Sequence, residues 1–206
     1  MTATERYAGG ATDWDAEYAA GVLDRLDRLG ETARLGVVAG YAARIAAGGA
    51  LLDAGAGPAV LAPLLSGPLA PARYLGFDLS PLAAERGAAR LATLAGGPAE
   101  AHMVCAGIED FDPDGGLFDL IVFNEVLFFV DDAAAQLARY RDFLAPDGAV
   151  LISLHLPKRA ESGAHAKFAA LMAAVDADWT TLDEVALDGL STGNHWRLRL
   201  ARPARG

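Results

Sequence analysis

The run Leu51-Leu52-Asp53-Ala54-Gly55-Ala56-Gly57-Pro58-Ala59 leads an apolar stretch into an acid and two closely spaced glycines. A second apolar stretch, Leu75-Gly76-Phe77-Asp78-Leu79-Ser80, also meets an acid at its end. Glycine lets a backbone approach a ligand closely, and a carboxylate at the tip of the next strand accepts hydrogen bonds from ribose hydroxyls. The pair therefore points to a bound nucleoside. Three later apolar runs end the same way, in Gly107-Ile108-Glu109-Asp110, in Asn124-Glu125 and in His155. Ligands of open parallel sheets sit beyond the carboxyl ends of the strands. These residues are thus candidates for one site. His155 is the first candidate for a base, because a free imidazole titrates near pH 6.5. Glu125 is the second.

Such residues need a scaffold. Residues 1–12 are expected to be loosely attached. Asp13 is placed to cap a helix carrying Trp14, Tyr18, Val22, Leu23, Leu26 and Leu29, with Gly30 as its stop. Residues 31–47 read as a second helix, with Leu35, Val38, Ala42 and Ile45 at helical spacing. Strands are then expected over 50–53, 73–78, 102–106, 117–124 and 149–154. Helices are expected over 59–65, 82–94, 133–144 and 164–175. Ser80-Pro81 supplies a cap and a first-turn proline, and Pro146-Asp147-Gly148 a stop. The runs 181–187 and 195–201 are close enough to pair antiparallel. The order predicts an α/β fold: a doubly wound, mostly parallel seven-stranded sheet with an antiparallel last strand, helices on both faces and an N-terminal helical lid. One domain is expected over 1–206, with the lid over 1–48 and the core over 49–206.

Bulk composition narrows the partners. The chain has 206 residues, a net charge of −10 and one cysteine. An acidic chain with scattered arginines lacks the basic face that nucleic-acid binding draws on. No apolar run approaches the roughly 18 residues of a membrane span, and Met1 to Gly10 lacks an apolar signal core. A single cysteine excludes a disulfide framework and a cysteine-built metal site. Cys105 is expected to be a small core residue. No metal, nucleic acid or membrane is expected, and the location is expected to be cytoplasmic.

The ordered set of motifs resembles the class I (Rossmann-like) S-adenosylmethionine-dependent methyltransferases. DAGAGPA stands for their glycine-rich stretch and GFDLS for the acidic end of the second strand. Gly107-Ile108-Glu109-Asp110-Phe111 stands for a third-strand signature. The run from Phe118 to Leu127 stands for the fourth, and Leu144-Ala145-Pro146-Asp147-Gly148 for a later turn. The resemblance covers residues 31–155, and the terminal hairpin also fits. It departs at Ala59, where a third glycine is usual, and at Gly107, where an acid often reads the adenine amino group.

The resemblance implies S-adenosylmethionine as cofactor and S-adenosylhomocysteine as product. It implies that Asp53 anchors the glycine turn or the methionine amino group, and that Gly55, Ala56 and Gly57 line the methionine part. Asp78 would bind the ribose and Leu79 the adenine. Glu109 or the backbone at Ile108 would read the adenine, and Asn124 would lie under the methionine moiety. Trp14 and Tyr18, four apart on one helical face of the expected lid, are candidates either to close over the sulfonium by cation–π contact or to pack on the sheet as core. Arg34 and Tyr41 are further candidates to face the cavity. Pro58-Ala59 argues against an NAD pyrophosphate, which favours a third glycine at a helix start.

The expected reaction is methyl transfer to an O or N atom of a small acceptor, natural-product or sugar-like, free or carrier-linked. His155 and then Glu125 are the candidate catalytic bases, while His102, His165 and His195 are expected to be structural. The protein is expected to be a monomer or homodimer. The alternatives are a same-fold protein that uses the cofactor for a non-methylating reaction such as cyclisation, a non-catalytic binding subunit, and an NAD-dependent oxidoreductase.

Overall fold

The computed structural model describes residues 12–156 and 163–204. Apart from Thr12, the stretch expected to be loose lies outside the described residues. Seven strands form one sheet: β1 (Ala50–Ala54), β2 (Arg73–Asp78), β3 (Glu100–Cys105), β4 (Phe118–Asn124), β5 (Leu144–His155), β6 (Trp179–Asp188) and β7 (His195–Pro203). Their spatial order is β3-β2-β1-β4-β5-β7-β6. The first five are parallel, whereas β7 runs antiparallel to β5 and to β6. Strand order reverses between β1 and β4, which places the ligand crevice there.

The apolar runs in β1, β4 and β5 follow from burial on both sheet faces. Alternate residues enter opposite layers. Leu52, Ile121, Phe123 and Ile152 pack with helices α4 (Ala133–Tyr140) and α5 (Gly163–Asp178). Leu51, Leu120, Val122 and Leu151 pack with α2 (Thr32–Ala46) and with Leu91 of α3 (Pro81–Ala92). The expected caps are present. Asp13 accepts from the Ala16 amide at 3.0 Å at the start of α1 (Trp14–Ala19), and Ser80 accepts from Ala83 at 3.0 Å. No helix of the described residues is long and apolar enough to cross a membrane.

Four expectations need correction. The first helix is not continuous: α1 ends at Ala19, Gly21 adopts φ +71°, and 3₁₀ turns follow over Val22–Asp27 and Leu29–Glu31. Leu29 consequently leaves the apolar face and is exposed. No α-helix lies between the glycine turn and β2; the chain makes two 3₁₀ turns there, at Ala62–Leu64 and Gly67–Leu69. Pro63 and Gly67-Pro68 leave too short a run to offset helix nucleation, and Ala59 itself sits at φ +54°. Pro146-Asp147-Gly148 lies inside β5, where the register with β4 shifts between Phe118 and Leu120. Finally, Cys105 is exposed, because β3 is an edge strand.

Candidate active site

A cavity of about 640 Å³ runs along the carboxyl edge of the sheet. That volume falls in the range of about 300–1,000 Å³ typical of small-molecule sites. Its wall takes Ile108 and Glu109 from beyond β3, Asp78 and Leu79 from β2, and Gly55, Ala56 and Gly57 from β1. It continues through Asn124 and Glu125 after β4, His155 at the end of β5, and Asn194 and Trp196 at the start of β7. Trp14, Tyr18 and Leu26 cover it from the N-terminal segment. Strands lie about 4.8 Å apart, so Asp78 and His155 are separated by three strand steps, about 14 Å.

The glycine turn is held by its own amides. Ala56 N–H donates to the Phe77 carbonyl at 2.8 Å, and Gly57 N–H to Asp78 Oδ2 at 2.9 Å. Both glycines have positive φ, +65° at Gly55 and +56° at Gly57. A Cβ on Gly57 would meet Tyr18 Oη at 2.8 Å, and one on Gly55 would meet Val126 Cγ2 at 2.5 Å. Side chains are therefore barred from the turn on two counts. With these two amides committed to Phe77 and Asp78, and no helix N-terminus following, the turn lacks the features that cradle a pyrophosphate.

Asp78 is nearly buried, and each of its oxygens accepts one backbone N–H, from Gly57 and from Ser80 at 2.9 Å. An ionised carboxylate has about four acceptor positions, so capacity remains for donors in the cavity. Burial raises its pKa, with the two amides acting in the opposite direction. Asp53 takes a different place. It does not line the cavity, and its carboxyl accepts from Tyr74 Oη at 2.7 Å within the buried layer under β1. Burial pushes its pKa up to about 7 despite that hydrogen bond. The glycine turn is thus anchored by the Asp78 carboxylate and not by that of Asp53.

Past β4 the wall is a side-chain network. Arg34, fully buried on α2, donates from Nε and Nη2 to Glu31 Oε2, at 3.3 and 2.8 Å, and from Nη1 to Asn124 Oδ1. Its guanidinium lies 6.0 Å from the Trp196 ring, and Trp196 stands edge-on to His155, also at 6.0 Å. Glu125 is held at φ +65°. Its carboxylate accepts from Ser153 Oγ and from the His155 amide, both at 3.0 Å. Burial raises the Glu125 pKa, while the Arg34 charge opposes it. His155 is half-buried, and burial lowers its pKa against the pull of Glu31.

The expected residues from Trp14 to His155 thus meet in one cavity, Asp53 excepted. Tyr41 does not join them, since its hydroxyl donates to Asp183 Oδ2 at 2.6 Å on the outer side of α2. His102 is exposed on β3, and His195 pairs with Asp188. Sequence reasoning missed Glu31, Asn194 and Trp196. The signal for the last two was their place at the start of a reversed strand, which begins at the same edge where the parallel strands end.

The methyltransferase-domain family matches residues 21–185. No curated protein matches the sequence. Several solved structures share the fold. The N-methyltransferase NodS from Bradyrhizobium japonicum, in complex with S-adenosyl-L-homocysteine, is 19% identical, with 98% of this chain and 97% of that chain covered and a TM-score of 0.68. The 1,6-didemethyltoxoflavin-N1-methyltransferase of Burkholderia thailandensis is 22% identical, with coverage of 100% and 92% and a TM-score of 0.69. The [4+2]-cyclase SpnF is 14% identical, with coverage of 84% and 81% and a TM-score of 0.65. At these identities the structures establish the fold. The family match spans most of the chain, and the protein therefore belongs to the methyltransferase-domain family, with the sheet of its class I, S-adenosylmethionine-dependent members.

Proposed function

We propose that this protein transfers a methyl group from S-adenosylmethionine to an O or N atom of a small acceptor. The observation that carries the reading is Asp78, bonded to the Gly57 amide and facing a cavity that continues to His155. Gly55 and Gly57 let Val126 and Tyr18 pack against the turn, and Asp78 keeps acceptor capacity for two vicinal hydroxyls. In this reading Leu79 and Ile108 pack on the adenine and Glu109 accepts from its amino group. Gly55, Ala56 and Gly57 flank the methionine chain. Asn124 and Arg34 lie beneath it. When bound, the cofactor supplies a methyl group activated on a sulfonium cation.

The remaining work belongs to this chain. Trp14 and Tyr18 shield the cation with aromatic faces, and residues 13–31 act as a lid that excludes water. His155 takes the proton that the acceptor's O–H or N–H gives up. A lowered pKa keeps the ring neutral, and so able to accept, at neutral pH. Glu125 is the weaker candidate, since Ser153 and the His155 amide already engage its oxygens. Its strained backbone and double tether suit it to fixing the end of β5.

The test is calorimetric titration of S-adenosylhomocysteine and NADH into wild type and Asp78→Ala. Removing a carboxylate that takes two charge-assisted hydrogen bonds is expected to cost about 3 kcal/mol, roughly 100-fold in affinity. Tight S-adenosylhomocysteine binding, lost in the variant, supports the reading. Binding of NADH instead overturns it.

A further inference from the structure

The far lobe of the cavity holds groups that the cofactor does not use. Glu31 is buried and lines the cavity. Its Oε2 takes both Arg34 donors, while Oε1 has Arg25 Nη1 at 3.9 Å, beyond hydrogen-bonding distance. Oε1 is thus open to the cavity and free to accept a hydrogen bond from a molecule there. The His155 ring lines the same lobe, and among the described residues neither of its nitrogens has a hydrogen-bond partner. Burial favours its neutral form, which leaves one nitrogen as an acceptor. Two hydrogen-bond acceptors therefore face this space.

The cations nearby do not turn it into an anion site. Arg34 commits Nε and Nη2 to Glu31 and Nη1 to Asn124. Arg25 already faces the Glu31 carboxylate from the rim. The walls are aromatic: Trp196, Phe128, and Phe129 with Trp14 edge-on at 4.9 Å. Aromatic walls favour contact with a flat aromatic ring.

Building on the methyltransferase reading, we propose that this lobe is the acceptor subsite and that it selects flat, uncharged aromatic compounds presenting an N–H or O–H to Glu31 and His155. Carboxylate-bearing acceptors are rejected, because they would bring a second negative charge against Glu31. Glu31 is then a specificity-determining residue, and it explains why a site for a small acceptor keeps a buried acid opposite the base.

The probes are matched sets titrated into the S-adenosylhomocysteine complex of the full chain: naphthol, its methyl ether and naphthoate, and benzimidazole, its N-methyl derivative and its carboxylate. Sites built to pair a donor reject analogues that lack it by about tenfold or more. Naphthol and benzimidazole are expected to bind at least about tenfold more tightly than their methylated and carboxylated partners. In Glu31→Gln that preference should shrink towards one, whereas mere loosening of the lobe would weaken both members of a pair alike. The wild-type titrations stand even if the variant does not fold. Equal or tighter binding of the methylated or carboxylated compounds, or no binding of any, overturns the proposal. Absence of S-adenosylhomocysteine binding would overturn the underlying reading as well, so the two failures are distinguishable.

Discussion

On the β1–β2–β3 side of the carboxyl edge the site is made of main chain, whereas past β4 it is made of side chains. The first half rests on the amides of Ala56, Gly57 and Ser80 and on one carboxylate, Asp78. The second rests on Glu31, Arg34, Asn124, Glu125, Ser153 and Trp196, contributed by segments far apart in the chain. The difference has an energetic meaning. Main-chain bonds survive most substitutions, so the hydrogen bonds that shape the first half depend on one side chain, Asp78, and on two glycine positions. A side-chain network behaves as a unit, because removing one partner leaves the others buried and unpaired.

Breaking that unit should give the largest effect. Arg34→Met strips Glu31 of its hydrogen-bonded cation and leaves only Arg25 at 3.9 Å, and breaking such a buried pair typically costs about 3–5 kcal/mol. Urea unfolding should show a loss of that size. Adding Glu31→Met should recover much of it, since no charge is then stranded. A loss below about 1 kcal/mol for the single variant would mean that the far half does not act as a unit.

A titration sharpens the comparison within the far half. The His155 pKa is lowered mainly by burial, with Glu31 raising it and His195, Arg25 and Arg34 lowering it. Followed by NMR, the ring's midpoint should lie below the ordinary value of about 6.5. Glu31→Gln removes the raising charge and should move the midpoint lower still. Transfer needs the neutral ring, so the rate should be flat above the midpoint and fall as pH drops through it. An unchanged or higher midpoint in Glu31→Gln would separate the two residues and weaken the acceptor subsite.

The same contrast explains what the sequence could reveal. Motifs announce main-chain sites, because glycines and strand-end acids sit at fixed offsets from apolar runs. Gly55, Gly57 and Asp78 were legible for that reason, as were the apolar runs that give β1, β2 and β4. Glu31 and Trp196 were not, because nothing local distinguishes an acid in a turn or a strand tryptophan from a surface or core residue. Asp53 was misleading: it occupies a motif position, yet its side chain points into the layer that holds Tyr74. The helix expected over 59–65 failed on length and prolines, and its loss left the glycine turn without the helix N-terminus that a phosphate would need. Cys105 looked like core because its run is apolar, but burial depends on the sheet order, and β3 proved to be an edge.

The smallest expected effect concerns how the lid is fastened to the main-chain half. Residues 13–31 contribute Trp14, Tyr18 and Leu26 to the cavity, and Asp15, Tyr18 and Asp27 among them are tied to α3 and its cap. Asp15 bonds Ser80 Oγ and the Leu82 amide, Arg86 reaches the Tyr18 carbonyl at 3.1 Å, and Arg90 grips Asp27 through two bonds of 2.7 and 2.8 Å. The Arg90–Asp27 pair is partly exposed, and such pairs contribute about 1 kcal/mol or less. Arg90→Ala should therefore leave folding stability nearly unchanged. If the lid must lift for product to leave, the variant should release S-adenosylhomocysteine about twofold to fivefold faster in stopped-flow displacement, the change that 0.4–1 kcal/mol corresponds to. High salt screens an exposed pair, so raising ionic strength should speed release from wild type more than from Arg90→Ala. Equal rates at both salts would mean that the Arg90–Asp27 pair does not hold the lid, and that this tie to the main-chain half does not govern release.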